Sequence, residues 1–154
     1  IPVEQIAITT GSSGAFVLSF LAAFDPGDRV LLARPGYPAY RNILTSLGCQ
    51  VVELACGPAE RFQPTCALLD QALAEGPVAG LMLASPANPP GTMVDHEQLA
   101  ELVAWCAEHG VRLISDEIRL SSNNWGQSWV IWVVAGVMFC AVVAITNTFD
   151  KKSK

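Results

Sequence analysis

Four places in this chain carry side chains suited to chemistry: the run Thr10-Gly11-Ser12-Ser13-Gly14, Tyr37 in Pro35-Gly36-Tyr37-Pro38, Asn88 before two prolines, and Asp116. In the first, a short apolar run (Ile6 to Ile8) gives way to Gly/Ser/Thr and then at once to an apolar segment, the grammar of strand, tight loop and helix. The first free N–H groups of such a helix point at the loop, with the positive end of the helix dipole behind them, so an anion such as phosphate fits there. Gly11 and Gly14 permit a sharp turn and close approach of a ligand, and Ser12 and Ser13 add hydroxyl donors. A serine-rich cap without any ligand reads with the same letters. Asn88-Pro89-Pro90-Gly91 is equally a plain turn, a strand-end Asp is equally a cap or a solvated charge, and Tyr37 beside two prolines is equally packing. The conjunction of these features is what separates the two readings.

Alternating strands and helices have to position them. The pattern predicts a first strand over Ile6 to Thr9 and a helix over Ser13 to Phe24, apolar nearly all round and therefore expected to be buried. The turn Asp25-Pro26-Gly27-Asp28 leads to a strand at Arg29 to Ala33, then a helix from Ala39 to Leu47 stopped by Gly48. A strand at Gln50 to Leu54, a loop over 55–64, and a helix at Thr65 to Glu75 follow. Gly80 to Ala84 reads as a strand, and the proline-rich stretch 85–92 after it cannot be helix. Asp95 with Gln98 is a capping-box signature for a helix from His96 to His109, ended by Gly110. Val111 to Ser115 is the last strand, with Asp116 at its carboxyl end. Such an order implies a mainly parallel sheet covered on both faces, a three-layer αβα arrangement. Ser12/Ser13, Tyr37, Asn88 and Asp116 then all fall near strand carboxyl ends, the edge where open α/β sheets bind ligands.

Composition narrows the class. The chain has 154 residues, 51% hydrophobic and 15% charged, enough for one domain with a core and unlike a disordered protein. A net charge of -5, with no basic cluster before the last few residues, argues against nucleic acid as a partner. The five cysteines (Cys49, Cys56, Cys66, Cys106, Cys140) are scattered and never at C-x-x-C spacing, which favours a reducing, cytoplasmic setting and neither disulfides nor a metal site. No signal peptide is recognisable, and Ile1 in place of Met is what a chain beginning mid-protein would show. His96 and His109 read as structural, Trp105 and Cys106 as core, and Tyr40 as packing on its helix.

Taken together, Thr10-Gly11-Ser12-Ser13-Gly14-Ala15, Asp25-Pro26-Gly27-Asp28, Pro35-Gly36-Tyr37-Pro38-Ala39-Tyr40, Asn88-Pro89-Pro90-Gly91-Thr92 and Ser115-Asp116-Glu117-Ile118 resemble, in order and spacing, the central slice of a class I/II aminotransferase, a fold type I enzyme dependent on pyridoxal 5'-phosphate. The resemblance covers residues 1–118 and implies part of a large α/β domain in a protein that usually forms a homodimer. It also implies amino-group transfer between an amino acid and a 2-oxo acid. By resemblance, Gly11, Ser12 and Ser13 would hold the cofactor phosphate, Tyr37 would stack on the pyridine ring, and Asn88 would donate to the ring's phenolic oxygen. Asp116 would pair with the ring nitrogen, where a carboxylate favours the protonated form.

The likeness ends at Arg119, where the family usually has tyrosine. Its Schiff-base lysine would follow some thirty-odd residues later in a Ser-x-x-Lys or Ser-Lys setting; Lys151 and Lys152 stand at that distance without the setting, so no catalytic residue is assigned and a fragment inactive by itself is expected. Residues 119–128 read as a polar linker, 129–145 as an apolar, helix-like segment at the short limit for a membrane span, and 146–154 as a basic tail. Two alternatives follow. One is a non-catalytic, membrane-anchored protein with a cytoplasmic basic end that binds a ligand or partner. The other is a pyridoxal-phosphate-dependent lyase of the same fold.

Overall fold

The computed structural model describes Val3 and residues 6–117; the linker, apolar segment and tail expected over 119–154 lie outside the described residues. Among the described residues, four helices and four strands alternate: α1 (Ser12–Ala23), β1 (Arg29–Arg34), α2 (Pro38–Ser46), β2 (Gln50–Ala55), α3 (Cys66–Ala74), β3 (Gly80–Ser85), α4 (His96–His109) and β4 (Arg112–Glu117). The strands form one sheet in the order β2-β1-β3-β4, and every pairing is parallel. Among the described residues, no helix is long and apolar enough to cross a membrane.

The period-two alternation of each strand sorts its side chains between two cores. Val30 and Leu32 of β1, Met82 of β3 and Ile114 of β4 face α1 and α2, where Phe16, Phe20, Tyr40 and Leu44 meet them. Leu31, Leu81 and Leu83 face the other way, onto Leu69 of α3 and Leu102, Trp105 and Cys106 of α4. Burial on both faces explains why β1 and β3 read as unbroken apolar runs.

Side-chain caps fix where α3 and α4 begin. The Thr65 hydroxyl accepts from the N–H of Leu68 at 3.5 Å, and the Asp95 carboxylate accepts from that of Gln98 at 2.9 Å. Gln98 does not close a capping box. Its side-chain amide donates instead to the carbonyl of Pro64 at 3.0 Å, tying α4 to the loop before α3.

Two expectations are corrected. Ile6 to Thr9 is not a strand, because a strand needs a neighbour to receive its ladder and the described sheet offers these residues none. Ile6 and Ile8 are exposed, and the backbone instead turns locally, the Gly11 N–H donating to the Thr9 carbonyl at 2.9 Å. Nor is α1 buried all round. It buries Ala15, Phe16, Ser19, Phe20 and Ala23 but leaves Leu18 and Leu21 57% and 58% exposed. A helix with apolar side chains on every side carries no mark of which faces find partners.

Candidate functional site

The carboxyl edge of the sheet is assembled by an aromatic ladder. Phe16 and Phe20 of α1 stack with centroids 6.0 Å apart, and Phe24 at its C-cap follows, tilted, at 6.1 Å. At one end, the Phe24 ring lies so close over Gly80, the first residue of β3, that any Cβ there would strike it. At the other, Phe16 meets Tyr40 edge-on, at 5.0 Å and 88°. Tyr40 in turn donates its hydroxyl to Oδ2 of Asp116 on β4. The ladder therefore runs from Gly80 at the amino edge of the sheet to Asp116 at the carboxyl edge, and it joins α1 to that edge through Tyr40.

Each residue singled out from the sequence can be placed on that edge. Gly11 is the N-cap of α1 with φ 91° and ψ 170°, a backbone shape open to glycine, and no side chain caps the helix. Ser12 and Ser13 are its first two helical residues, half-buried and exposed. Tyr37 is the N-cap of α2, 37% exposed, its ring perpendicular to that of Tyr40 at 5.4 Å. Asp116 is the penultimate residue of β4 rather than a residue beyond it, and it pairs in register with Ala84. Two on from Ile114, it points to the α1/α2 side. Asn88 is exposed in the loop after β3. Tyr37, Tyr40 and Asp116 thus form one connected group, with the start of α1 joined to it through Phe16. Asn88 shares the edge, but among the described residues no hydrogen bond or ring contact ties it to that group.

The electrostatics of Asp116 are unusual for a carboxylate. It is 8% exposed, and burial pushes its carboxyl above the usual range while the bond from Tyr40 pulls part of that rise back. Its Oδ1 is buried without a hydrogen-bond partner. Burial, then the charge and the bond of Asp116, then Tyr37 hold the Tyr40 phenol far above its ordinary value, so Tyr40 stays a donor. A buried acceptor left open is costly unless something arrives to donate to it.

Two residues of this edge were missed from the sequence. Tyr40 is a hydrogen-bonding partner as well as packing; its spacing of three from Tyr37 on the first turn of a helix was the available signal. Gln63 is fully buried, and its amide donates to the carbonyls of Ala84 at 3.1 Å and Thr92 at 2.8 Å, clamping both ends of the loop that carries Asn88. A single glutamine in a long loop gives no such signal.

The sequence profile described as "Aminotransferase class I and II" matches residues 1–149. This chain belongs to that family. The match runs past Arg119, beyond the last of the short motifs. A valine–pyruvate aminotransferase of Mycobacterium tuberculosis is 57% identical over 115 residues, 75% of this chain and 29% of that protein. The crystal structure of an aminotransferase from the same organism superposes with a TM-score of 0.73 at 55% identity, over 77% of this chain and 32% of that one. The 1-aminocyclopropane-1-carboxylate synthase 4 of Solanum lycopersicum is 31% identical over 121 residues, 75% of this chain and 25% of its own length. The chain accordingly spans less than a third of each of these relatives. The family's cofactor is pyridoxal 5'-phosphate.

Proposed function

We propose that this chain forms the ring- and phosphate-binding wall of a pyridoxal-phosphate aminotransferase, whose reaction moves an amino group between an amino acid and a 2-oxo acid. The observation that carries this reading is the orphaned Oδ1 of Asp116. A buried carboxylate oxygen with no partner suits the N–H of a protonated pyridine, and that pairing offsets the burial of the charge. Tyr37 offers a half-exposed flat face for the ring, and Asn88 a side-chain donor for the ring's oxygen. Gly11, Ser12 and Ser13 present the uncapped start of α1 to the phosphate. When bound, the cofactor supplies an electron-withdrawing ring that takes up the electron pair released as an amino acid loses its α-proton. This chain's own part is to bind and orient that ring and to keep its nitrogen protonated. Sequence likeness to 1-aminocyclopropane-1-carboxylate synthases favours a lyase as the second reading, with the 57% likeness to an aminotransferase weighing against it.

Binding tests the proposal. Pyridoxamine 5'-phosphate, which needs no covalent anchor, is titrated into the 154-residue chain and followed by its fluorescence. Saturable binding that weakens about tenfold or more in Asp116→Ala is the expected outcome, since a charged hydrogen bond is lost. Equal binding by the two chains sinks the reading. In the whole protein, appearance of the amino group on an added 2-oxo acid separates transfer from lysis.

A further inference from the structure

The two oxygens of Asp116 have different fates, and one side chain decides which is which. Tyr40 occupies Oδ2, and Oδ1 is left buried and unpartnered. We infer that Tyr40 is a positioning residue, holding Asp116 so that Oδ1 alone is presented to the ring nitrogen. The inference deepens the cofactor reading and rests on it.

The geometry supports a fixed hand-off rather than a chance contact. The Tyr40 ring is buried and gripped from two sides, edge-on to Phe16 at 5.0 Å and to Tyr37 at 5.4 Å. Its oxygen is therefore set by α1 and α2 together and cannot follow Asp116 if the carboxylate rotates. Tyr37, the face offered to the ring, leans on the same tyrosine, so the stacking surface and the carboxylate share one support. Without the hydroxyl, the carboxylate is free to turn about its last torsion and offer either oxygen. It would also be harder to keep charged, since the bond from Tyr40 is what opposes its burial. The group bonded to Asp116 from this side is Tyr40, whose ring is in turn held by Tyr37 and by the apolar Phe16 of α1. Glu117, next along β4, projects to the other face, where the Ser115 hydroxyl lies 3.4 Å from it.

The test uses the full chain with Tyr40→Phe and Asp116→Asn, each checked by circular dichroism. Binding of pyridoxamine 5'-phosphate is measured by fluorescence, and the Asp116 carboxyl is titrated by carbon NMR without ligand. Tyr40→Phe keeps the ring packing, so the expected result is a folded chain that binds about tenfold more weakly and whose Asp116 titrates at higher pH. A purely packing role would move neither readout. A Tyr40→Phe chain that binds and titrates like wild type overturns the inference while leaving the cofactor reading intact, provided Asp116→Asn still weakens binding. Equal binding by Asp116→Asn and wild type overturns the cofactor reading itself. If Tyr40→Phe does not fold, the hydroxyl proton of Tyr40 in the wild-type chain decides: a resonance lost in Asp116→Ala, which leaves no acceptor, but kept when ligand saturates the wild type supports the assignment. Its loss on ligand binding refutes it.

Discussion

Both helical layers bury apolar side chains against the same sheet, yet they treat polar groups in opposite ways. In the layer of α3 and α4, Thr65 and Asp95 cap both helix starts, and the Trp105 indole N–H donates to Asp70 at 2.7 Å. In the layer of α1 and α2, neither Gly11 nor Tyr37 supplies a side-chain cap, Leu18 and Leu21 face outward, and a buried carboxylate oxygen is left open. The difference teaches which layer satisfies its own polar groups and which leaves them open to a ligand. A helix start satisfied by its own side chain has fewer donors to give an anion, and a carboxylate with both oxygens occupied cannot receive a ring N–H. The first layer is closed and holds the fold together; the second withholds local satisfaction where a ligand would complete it.

Truncations should break the layers unequally. Leu69→Ala, at a fully buried position between α3 and the sheet, is expected to cost about 2–5 kcal/mol in urea unfolding. Leu21→Ala on α1 should stay within about 0.5 kcal/mol, because that side chain is mostly exposed. Similar losses at the two sites would erase the contrast. A smaller effect is expected from Asp95→Ala, about 1 kcal/mol from the lost cap, with no change in pyridoxamine 5'-phosphate binding.

The smallest effect should have the opposite sign. Asp116→Asn is expected to stabilise the ligand-free chain at neutral pH, by less than about 1 kcal/mol in urea unfolding, even as it weakens ligand binding. Burial places the folded carboxyl's pKa above its ordinary 3.8, so ionising Asp116 costs stability. That cost is absent below the ordinary value and complete above the raised one, so the gain from Asn should shrink as the pH falls toward 3.8. A variant less stable than wild type at every pH would show that Asp116 serves the fold and not the site.

Local information was enough for much of this. Periodicity, turn residues and caps located the four helices and four strands of the described residues to within a residue or two, because each signal lies within a few positions of the element it governs. The strand expected at Ile6 to Thr9 failed for the complementary reason: four residues of suitable type do not make a strand unless the sheet provides a neighbour. The exposed face of α1 could not be read either, since an evenly apolar helix carries no directional pattern.

The order of elements, the glycine-serine start of α1 and the identities of Tyr37, Asn88 and Asp116 were therefore determined by the sequence alone, since each depends on residue type and short spacing. Tertiary structure alone decided that Tyr40 reaches Asp116 across 76 residues, that Gln63 clamps the Asn88 loop, and that one carboxylate oxygen is left without a partner. Such contacts are made between elements that sequence neighbours say nothing about. They exist only once the parallel sheet has brought its carboxyl ends together.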